Sequence, residues 1–289
     1  MADVAPLAVT EIAPGVFVHQ APYALIAPEN RGDIANLGFV VGDEAVAVID
    51  TGGSPAVGRA LLAAVRAVTD KPVRYIVNTH VHPDHLMGNV AFRDTGARFV
   101  GHAKLGRSLA ARAPFYLDQA QRQLAAADAA GSEPVGPDIV VEGGLELDLG
   151  GRVLQLEAHP TAHTDADLTL LDEKTGTWFL GDLLFVRHLP TVDGSLLGWL
   201  AEMRRLEARR VTRLVPGHGP LDLAWPDALA PQRRYLERLA ADVRRDIAAG
   251  RSISEAAETA AIGERDAWAL FDEFNPRNAT TAYQELEWE

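Results

Sequence analysis

The most informative part of the sequence is the stretch Thr79-His80-Val81-His82-Pro83-Asp84-His85, which follows a predicted buried strand, Tyr75–Asn78. It places three imidazoles and one carboxylate within six consecutive positions, in a chain of 289 residues that has only nine histidines. Neutral imidazole and carboxylate groups are the ligands that suit zinc or iron. The stretch therefore predicts a metal centre at the end of a strand.

The spacing within this motif predicts two adjacent ions. Alternate residues of an extended segment point to the same side, so His80 and His82 can hold one ion together. Pro83 turns the chain, and Asp84 and His85 can then face a second ion nearby. A motif with four ligands rarely completes two ions, so we expect further ligands elsewhere in the chain.

Further candidate ligands follow other predicted strands. We expect each of them in a turn after an apolar strand, because strands that end in this way place such side chains along one rim of a sheet. A glycine precedes two of them and permits a tight turn. The candidates are His163 after the strand Val153–Glu157, Asp182 after Trp178–Gly181, and His218 after Leu214–Gly217.

The pattern of predicted elements indicates an α/β protein. Apolar strands alternate with helical segments, and short turn signals between some strands indicate a partly antiparallel sheet. Ser54 and Pro55 predict the start of a helix over Pro55–Val68. The segment Lys104–Ala130 is predicted to be helical with a break at Pro114, and the chain from Pro231 onward is predicted to be helical.

Composition excludes several classes of function. The formal net charge of -13 argues against binding to nucleic acid or to an anionic membrane. The absence of cysteine excludes thiol nucleophiles, iron–sulfur clusters and zinc held by cysteine. No apolar run approaches the ~20 residues needed for membrane insertion. The N-terminal residues lack the pattern of a secretory signal, so we expect a cytoplasmic protein, or a periplasmic one if a signal peptide has been removed.

The combined motifs resemble the metallo-β-lactamase-fold metallohydrolase superfamily. The residues that carry the resemblance are Val48–Gly52, His80–His85, His163-Thr164, Gly181-Asp182 and Pro216–Gly219. This resemblance implies a four-layer αββα sandwich over residues 1–224, of mixed α/β (α+β) class. A C-terminal helical extension over residues 225–289 is expected to pack on it.

The resemblance also implies roles for the candidate ligands. His80, His82 and His163 would bind a first metal, and Asp84, His85 and His218 a second, with Asp182 bridging the two. The implied cofactor is two Zn²⁺ ions, although the same ligand types accept iron or manganese. The implied reaction is attack of a metal-bound hydroxide on the acyl carbon of a small-molecule ester, lactone, thioester or lactam. Asp84 would accept or transfer the proton.

A closer resemblance concerns context rather than chemistry. Gly181–Pro190, Asp193–Ser195 and the tail residues Asn275–Asn278 and Glu285–Glu289 are similar to the quinoprotein-relay-system (SoxH-related) zinc metallohydrolases. This implies a periplasmic protein associated with a quinoprotein dehydrogenase system. The alternative function is an iron-loaded redox or oxygen-reactive metalloprotein, or a non-hydrolytic component of such a system. The sequence does not indicate an oligomeric state.

Several residues near the motifs are candidates for supporting roles. Asp50 either steadies a ligand imidazole or is a simple carboxylate at a helix start. Arg187 and His188 follow Asp182 on a loop and are candidates for contact with an anionic substrate, as an alternative to having no part in the site. His159 either lines the mouth of the site or is a hydrogen-bonded loop histidine. The segment Phe115–Leu117 is either an apolar lid or part of the core.

Overall fold

The computed structural model describes residues 4–289. Its strands are β1 (Thr10–Ala13), β2 (Val16–His19), β3 (Leu37–Val41), β4 (Val46–Ile49), β5 (Val73–Val77), β6 (Arg98–His102), β7 (Ile139–Val141), β8 (Gly144–Asp148), β9 (Val153–Ala158), β10 (Leu168–Asp172), β11 (Thr177–Phe185) and β12 (Arg213–His218). Its α-helices are α1 (Pro55–Val68), α2 (Pro83–Leu86), α3 (Leu105–Gln123), α4 (Ala126–Ala129), α5 (Leu196–Glu207), α6 (Leu229–Ala248), α7 (Ile253–Thr259) and α8 (Phe271–Leu286). Two 3₁₀ helices cover Asn89–Thr95 and Ile262–Ala267.

The strands form two sheets. The first has seven strands in sequence order from β1 to β7, antiparallel up to β4 and parallel from β4 onward. The second has five strands in the order β12-β11-β10-β9-β8, in which only β11 and β12 are parallel. This mixed pairing confirms the predicted α/β class.

The two sheets face each other and carry helices on their outer faces. All four residues of strand β4 are buried, so both faces of this strand are covered. Its Ala47 and Ile49 pack between the sheets, whereas Val46 and Val48 pack against apolar residues of α1. On the outer face of the second sheet, β11 packs against α5, α6 and α8. The four layers α, β, β and α confirm the predicted sandwich.

Helix α1 begins and ends where the sequence predicts. Ser54 accepts a hydrogen bond from the Val57 amide as the N-cap, and Pro55 is the first helical residue. The predicted break at Pro114 is wrong, because α3 continues through that residue. Pro114 and Ala110, whose carbonyl loses its amide partner, are both exposed, so water can satisfy the unpaired carbonyl.

Strand β11 is longer than predicted. It continues through Gly181 to Phe185, so Asp182 lies within the strand and not in a turn after it. Gly181 has a φ of 52°, and the pairing with β12 shifts register on both sides of this residue. The left-handed residue acts as a local bulge, which re-aims the following side chain without ending the strand.

The C-terminal helices share a hydrophobic cluster with the second sheet. Tyr235 and Leu239 of α6 and Ala282 of α8 pack in one buried cluster with Trp178 and Leu184 of β11. The predicted domain boundary after residue 224 therefore separates elements that pack in the same hydrophobic core. Within residues 4–289, none of the helices combines the length and apolar character that a membrane crossing requires.

Candidate metal centre

The seven predicted ligand side chains lie in two adjacent groups. In each group, one nitrogen or oxygen atom per residue lies within 4.8 Å of the others. The loop after β5 and the start of α2 supply four of these residues, and β11, β12 and the loop after β9 supply the others. The first group is His80, His82, His163 and Asp182, and the second is Asp84, His85 and His218.

Asp182 lies between the two groups. Its Oδ2 atom lies 3.5 Å from His80 Nε2 and 3.3 Å from His163 Nε2. Its Oδ1 atom lies 3.2 Å from His85 Nε2 and 3.5 Å from His218 Nε2. Each oxygen of this carboxylate therefore faces one group, which is the arrangement of a carboxylate shared by two ions.

The inward-facing atoms have the character of metal ligands. His80 Nε2, His85 Nε2 and Asp182 Oδ1 are buried and have no hydrogen-bond partner among residues 4–289. A buried polar atom without a partner costs about 1–3 kcal/mol, so such atoms normally occur where something else binds them. The set contains only imidazole nitrogens and carboxylate oxygens, which suit a divalent cation such as zinc.

The carboxylates also control protonation of the second group. Burial lowers the pKa of His218, but Asp182 and Asp84 outweigh it and raise this pKa to about 9. Burial likewise opposes the change at His85, whose pKa is nevertheless raised well above its ordinary value by Asp182, Asp84 and Asp50. Protons and a cation therefore compete for the same nitrogens.

Hydrogen bonds orient the rings of His85 and His80 from outside. Asp50 Oδ2 lies 2.7 Å from His85 Nδ1, on the side of the ring opposite Nε2. Thr79 donates to Asp50 through its amide and its hydroxyl, and the Thr79 hydroxyl oxygen lies 3.0 Å from His80 Nδ1. Groups that fix a ligand ring in this way set its tautomer and raise its basicity.

The other two histidines of the first group are oriented by the loop after β11. His163 Nδ1 lies 2.7 Å from the carbonyl oxygen of Thr191, and His82 Nε2 lies 3.1 Å from Asp193 Oδ2. Arg112 of α3 also binds Asp193 Oδ2, at 3.1 Å. Sequence reasoning missed Asp193 and Arg112 as partners of the site, because they lie far from the motif along the chain.

Helix α8 holds this loop in place. Asn278 accepts a hydrogen bond from the Val192 amide and donates one to the Pro190 carbonyl. The C-terminal extension is therefore linked to His163 through a single loop residue, Thr191.

A cavity of about 390 Å³ opens onto both groups. Its lining includes the candidate ligands His82, Asp84, Asp182 and His218. The other walls come from the segment 25–34, helix α3, the loop after β11 and helix α8. The cavity is thus formed by helix α8 as well as by the sandwich.

His188 lies on the wall of this cavity, as its predicted role requires. Its ring centre lies 4.8 Å from that of His218, and burial together with the charge of His218 lowers the pKa of His188 to about 4. His188 is therefore a neutral wall residue at ordinary pH.

Two expected site residues lie elsewhere. The side chain of Arg187 is exposed near Tyr23 and does not line the cavity, so its contact with a substrate stays a prediction. His159 is buried away from the mouth. Its two ring nitrogens lie 2.6 Å from Glu202 Oε1 and 2.8 Å from Thr169 Oγ1. It is the hydrogen-bonded loop histidine of the alternative interpretation.

Comparison with known proteins identifies the family. The family model of the Metallo-beta-lactamase superfamily matches residues 30–218, which include all seven candidate ligands. The chain therefore belongs to the metallo-beta-lactamase superfamily. It is also 47% identical, over 49 residues, to a linear primary-alkylsulfatase from Pseudomonas sp.. That match covers 17% of this chain and 9% of the alkylsulfatase, so it is local.

Solved structures show the same fold. A metallo-beta-lactamase from Pontibacter korlensis superposes with a TM-score of 0.65 at 22% identity, over 80% of this chain and 99% of its own. The stereoselective inverting sec-alkylsulfatase Pisa1 from Pseudomonas sp. superposes with a TM-score of 0.72 at 16% identity. That superposition covers 96% of this chain but 50% of the alkylsulfatase. The alkylsulfatase match thus extends over nearly the whole chain.

Proposed function

We propose that the protein is a dinuclear zinc hydrolase of small-molecule esters, lactones, thioesters or lactams. The observation that carries this proposal is the position of Asp182, whose two oxygens each face a separate group of histidines. When bound, two divalent ions lower the pKa of a water molecule from 15.7 toward about 7 and stabilise negative charge on a substrate oxygen. Six further side chains would hold these ions with Asp182: His80, His82, His163, Asp84, His85 and His218.

Asp84 is the proposed proton acceptor. Its carboxylate lies on the cavity wall, with Oδ2 3.3 Å from His218 Nε2 and 3.6 Å from His85 Nε2. Burial raises its pKa, but His85 and His218 outweigh burial and lower it. Asp84 is therefore an ionised carboxylate at neutral pH, and its oxygens can take up the proton that the attacking water loses.

A second candidate reaction is hydrolysis of an alkyl sulfate ester. It is supported by the local match to a linear primary-alkylsulfatase and by the superposition on Pisa1. The lactamase from Pontibacter korlensis superposes on a smaller part of the chain, 80% against 96%.

The proposal is tested by turnover of a panel of esters, lactones, thioesters, a lactam and an alkyl sulfate by zinc-loaded protein. The variant His82→Ala is expected to lose zinc and at least 100-fold of kcat/KM on whichever substrate is turned over. The exposed Asp94→Asn variant serves as the control and should retain both properties. Unchanged turnover by metal-free His82→Ala protein would overturn the proposal.

A further inference from the structure

Two large apolar side chains are exposed at the mouth of the cavity. Leu25 and Phe115 are 40% and 63% exposed, and both line the cavity. Large apolar side chains that remain exposed together mark sites where something apolar binds. Together with three neighbours they form a surface that we call the apolar lip, which consists of Leu25, Ile26, Ile34, Phe115 and Phe274.

Two guanidinium groups stand beside the apolar lip. Arg112 is already paired with Asp193. Arg277 is exposed on α8, and among residues 4–289 no carboxylate oxygen lies within 4.0 Å of its guanidinium nitrogens. Glu273, one turn earlier on the same helix, also lines the cavity without pairing with it. Arg277 is therefore the cation of the cavity wall that is available to an incoming anion.

Helix α8 presents these features on one face. Phe274, Arg277, Asn278 and Thr281 are three or four residues apart, so they lie on the same side of the helix, and all four line the cavity. Asn278 fixes the loop that orients His163, while Phe274 and Arg277 face the space that a substrate would occupy. A planar guanidinium suits the oxygens of a carboxylate or a sulfur oxyanion.

We infer that the site takes amphiphilic anions, with an alkyl or aryl chain on the apolar lip and an anionic group on Arg277. This inference rests on the proposed function, in which the cavity is the substrate site. It assigns recognition of the substrate to α8. The chain has a net charge of -13 and would repel anions in general. An unpaired guanidinium on the cavity wall therefore favours entry of an anion, in addition to the charge that the proposed metal ions would supply.

The test is equilibrium binding of octanoate and octane-1-sulfonate, measured by titration calorimetry. Neither compound has a bond that the proposed hydrolase would cleave, so binding is measured independently of turnover. The wild-type protein is expected to bind both anions, and to bind octan-1-ol at least tenfold more weakly. Tighter binding of one anion would distinguish a carboxylate from a sulfur oxyanion as the preferred group.

Two variants with the same charge change separate recognition by Arg277 from general electrostatics. Arg277→Gln is expected to weaken binding of both anions about tenfold, since a charge-assisted hydrogen bond is lost. Arg210→Gln removes an exposed, unpaired arginine outside the cavity and should leave binding unchanged. Phe115→Ser should weaken the octyl compounds more than butanoate. If wild-type protein binds neither anion, or if both arginine variants behave alike, the inference is wrong.

The same variants distinguish this inference from the proposed function. Anion binding that depends on Arg277, without turnover of any substrate, would leave the inference standing and refute the hydrolase proposal. With a substrate that is turned over, Arg277→Gln should raise KM for an anionic substrate and leave kcat little changed. An equal KM increase for a neutral analogue would overturn the role of Arg277.

Discussion

Asp50 Oδ2 lies 2.7 Å from Nδ1 of His85, and the opposite ring nitrogen of His85 faces Asp182 Oδ1 at 3.2 Å. Asp50 directly follows β4 and has a φ of 55°, a backbone conformation that few residues adopt. Thr79 donates to both oxygens of this carboxylate, through its amide to Oδ1 and through its hydroxyl to Oδ2. The carboxylate therefore fixes which nitrogen of His85 is turned toward the proposed metal centre.

The first prediction concerns this pair. Asp50→Asn should fold, because asparagine tolerates the left-handed conformation better than most residues do. It removes the negative charge beside His85 Nδ1, and we expect metal affinity to fall about 10–100-fold. Metal titration of the apo protein with a competing chelator measures this change. Wild-type affinity in a folded Asp50→Asn protein would contradict the proposed role.

The second prediction concerns the space next to Asp182. A Cβ atom added at Gly217 would collide with Asp182 Oδ1, so Gly217→Ala must displace the carboxylate that faces both groups. We expect it to lose at least one bound ion and most of the activity. Gly136→Ala is the matched control, because its Cβ would meet nothing within 4 Å. If metal analysis finds both variants equal to wild type, the close contact is unimportant.

The third prediction concerns the contact between Asp193 and His82. Burial raises the pKa of Asp193, but the hydrogen bond with His82 outweighs burial and lowers it, so the group is a carboxylate at neutral pH. Asp193→Ala removes the partner that orients the ring, and we expect affinity for one ion to fall about 10–100-fold while the second is retained. Titration with a competing chelator resolves the two steps. A simultaneous loss of both ions would indicate a general folding defect.

The fourth prediction is a pH dependence of stability at Glu202. Burial raises the pKa of Glu202, but hydrogen bonds with His159 and Arg205 outweigh burial and lower this pKa from 4.5 to about 2. A carboxyl group with a lowered pKa in the folded state stabilises the fold above pH 4.5, and this contribution disappears as the pH falls toward 2. It is worth at most about 3 kcal/mol.

Thermal unfolding of Glu202→Gln between pH 7 and pH 2.5 tests this prediction. The variant should be less stable than wild type at pH 7, and the difference should shrink steadily below pH 4.5. Glu258→Gln changes an exposed carboxylate and serves as the control. A difference from wild type that is constant over this pH range would show that the ionised carboxylate contributes nothing.

The candidate ligands could be predicted because most of the signal is local. His80–His85 carry their spacing within one short stretch, and the others stand at the ends of apolar strands or, for Asp182, inside one. The bulge at Gly181 could not be predicted, since the left-handed conformation depends on its pairing with β12. Helix α3 was expected to break at Pro114, because the sequence does not show that water covers that side of the helix.

Contacts between distant segments account for the remaining differences. Asp193 reaches His82 across 111 positions of the chain, and no local pattern announces such a pair. Arg187 is a candidate for substrate contact because it follows Asp182 closely in the sequence. Arg187 has a φ of 68°, and its exposed side chain lies outside the cavity. The arginine on this part of the cavity wall is Arg277 of α8.

The central claim is that two ions are held on either side of Asp182. The direct measurement is the metal content of the purified wild-type protein and of Asp182→Ala, by inductively coupled plasma mass spectrometry after removal of loosely bound ions. We expect about two divalent ions per wild-type chain and a clear loss in the folded variant. Wild-type protein without bound metal, or a variant that retains both ions, would contradict the account.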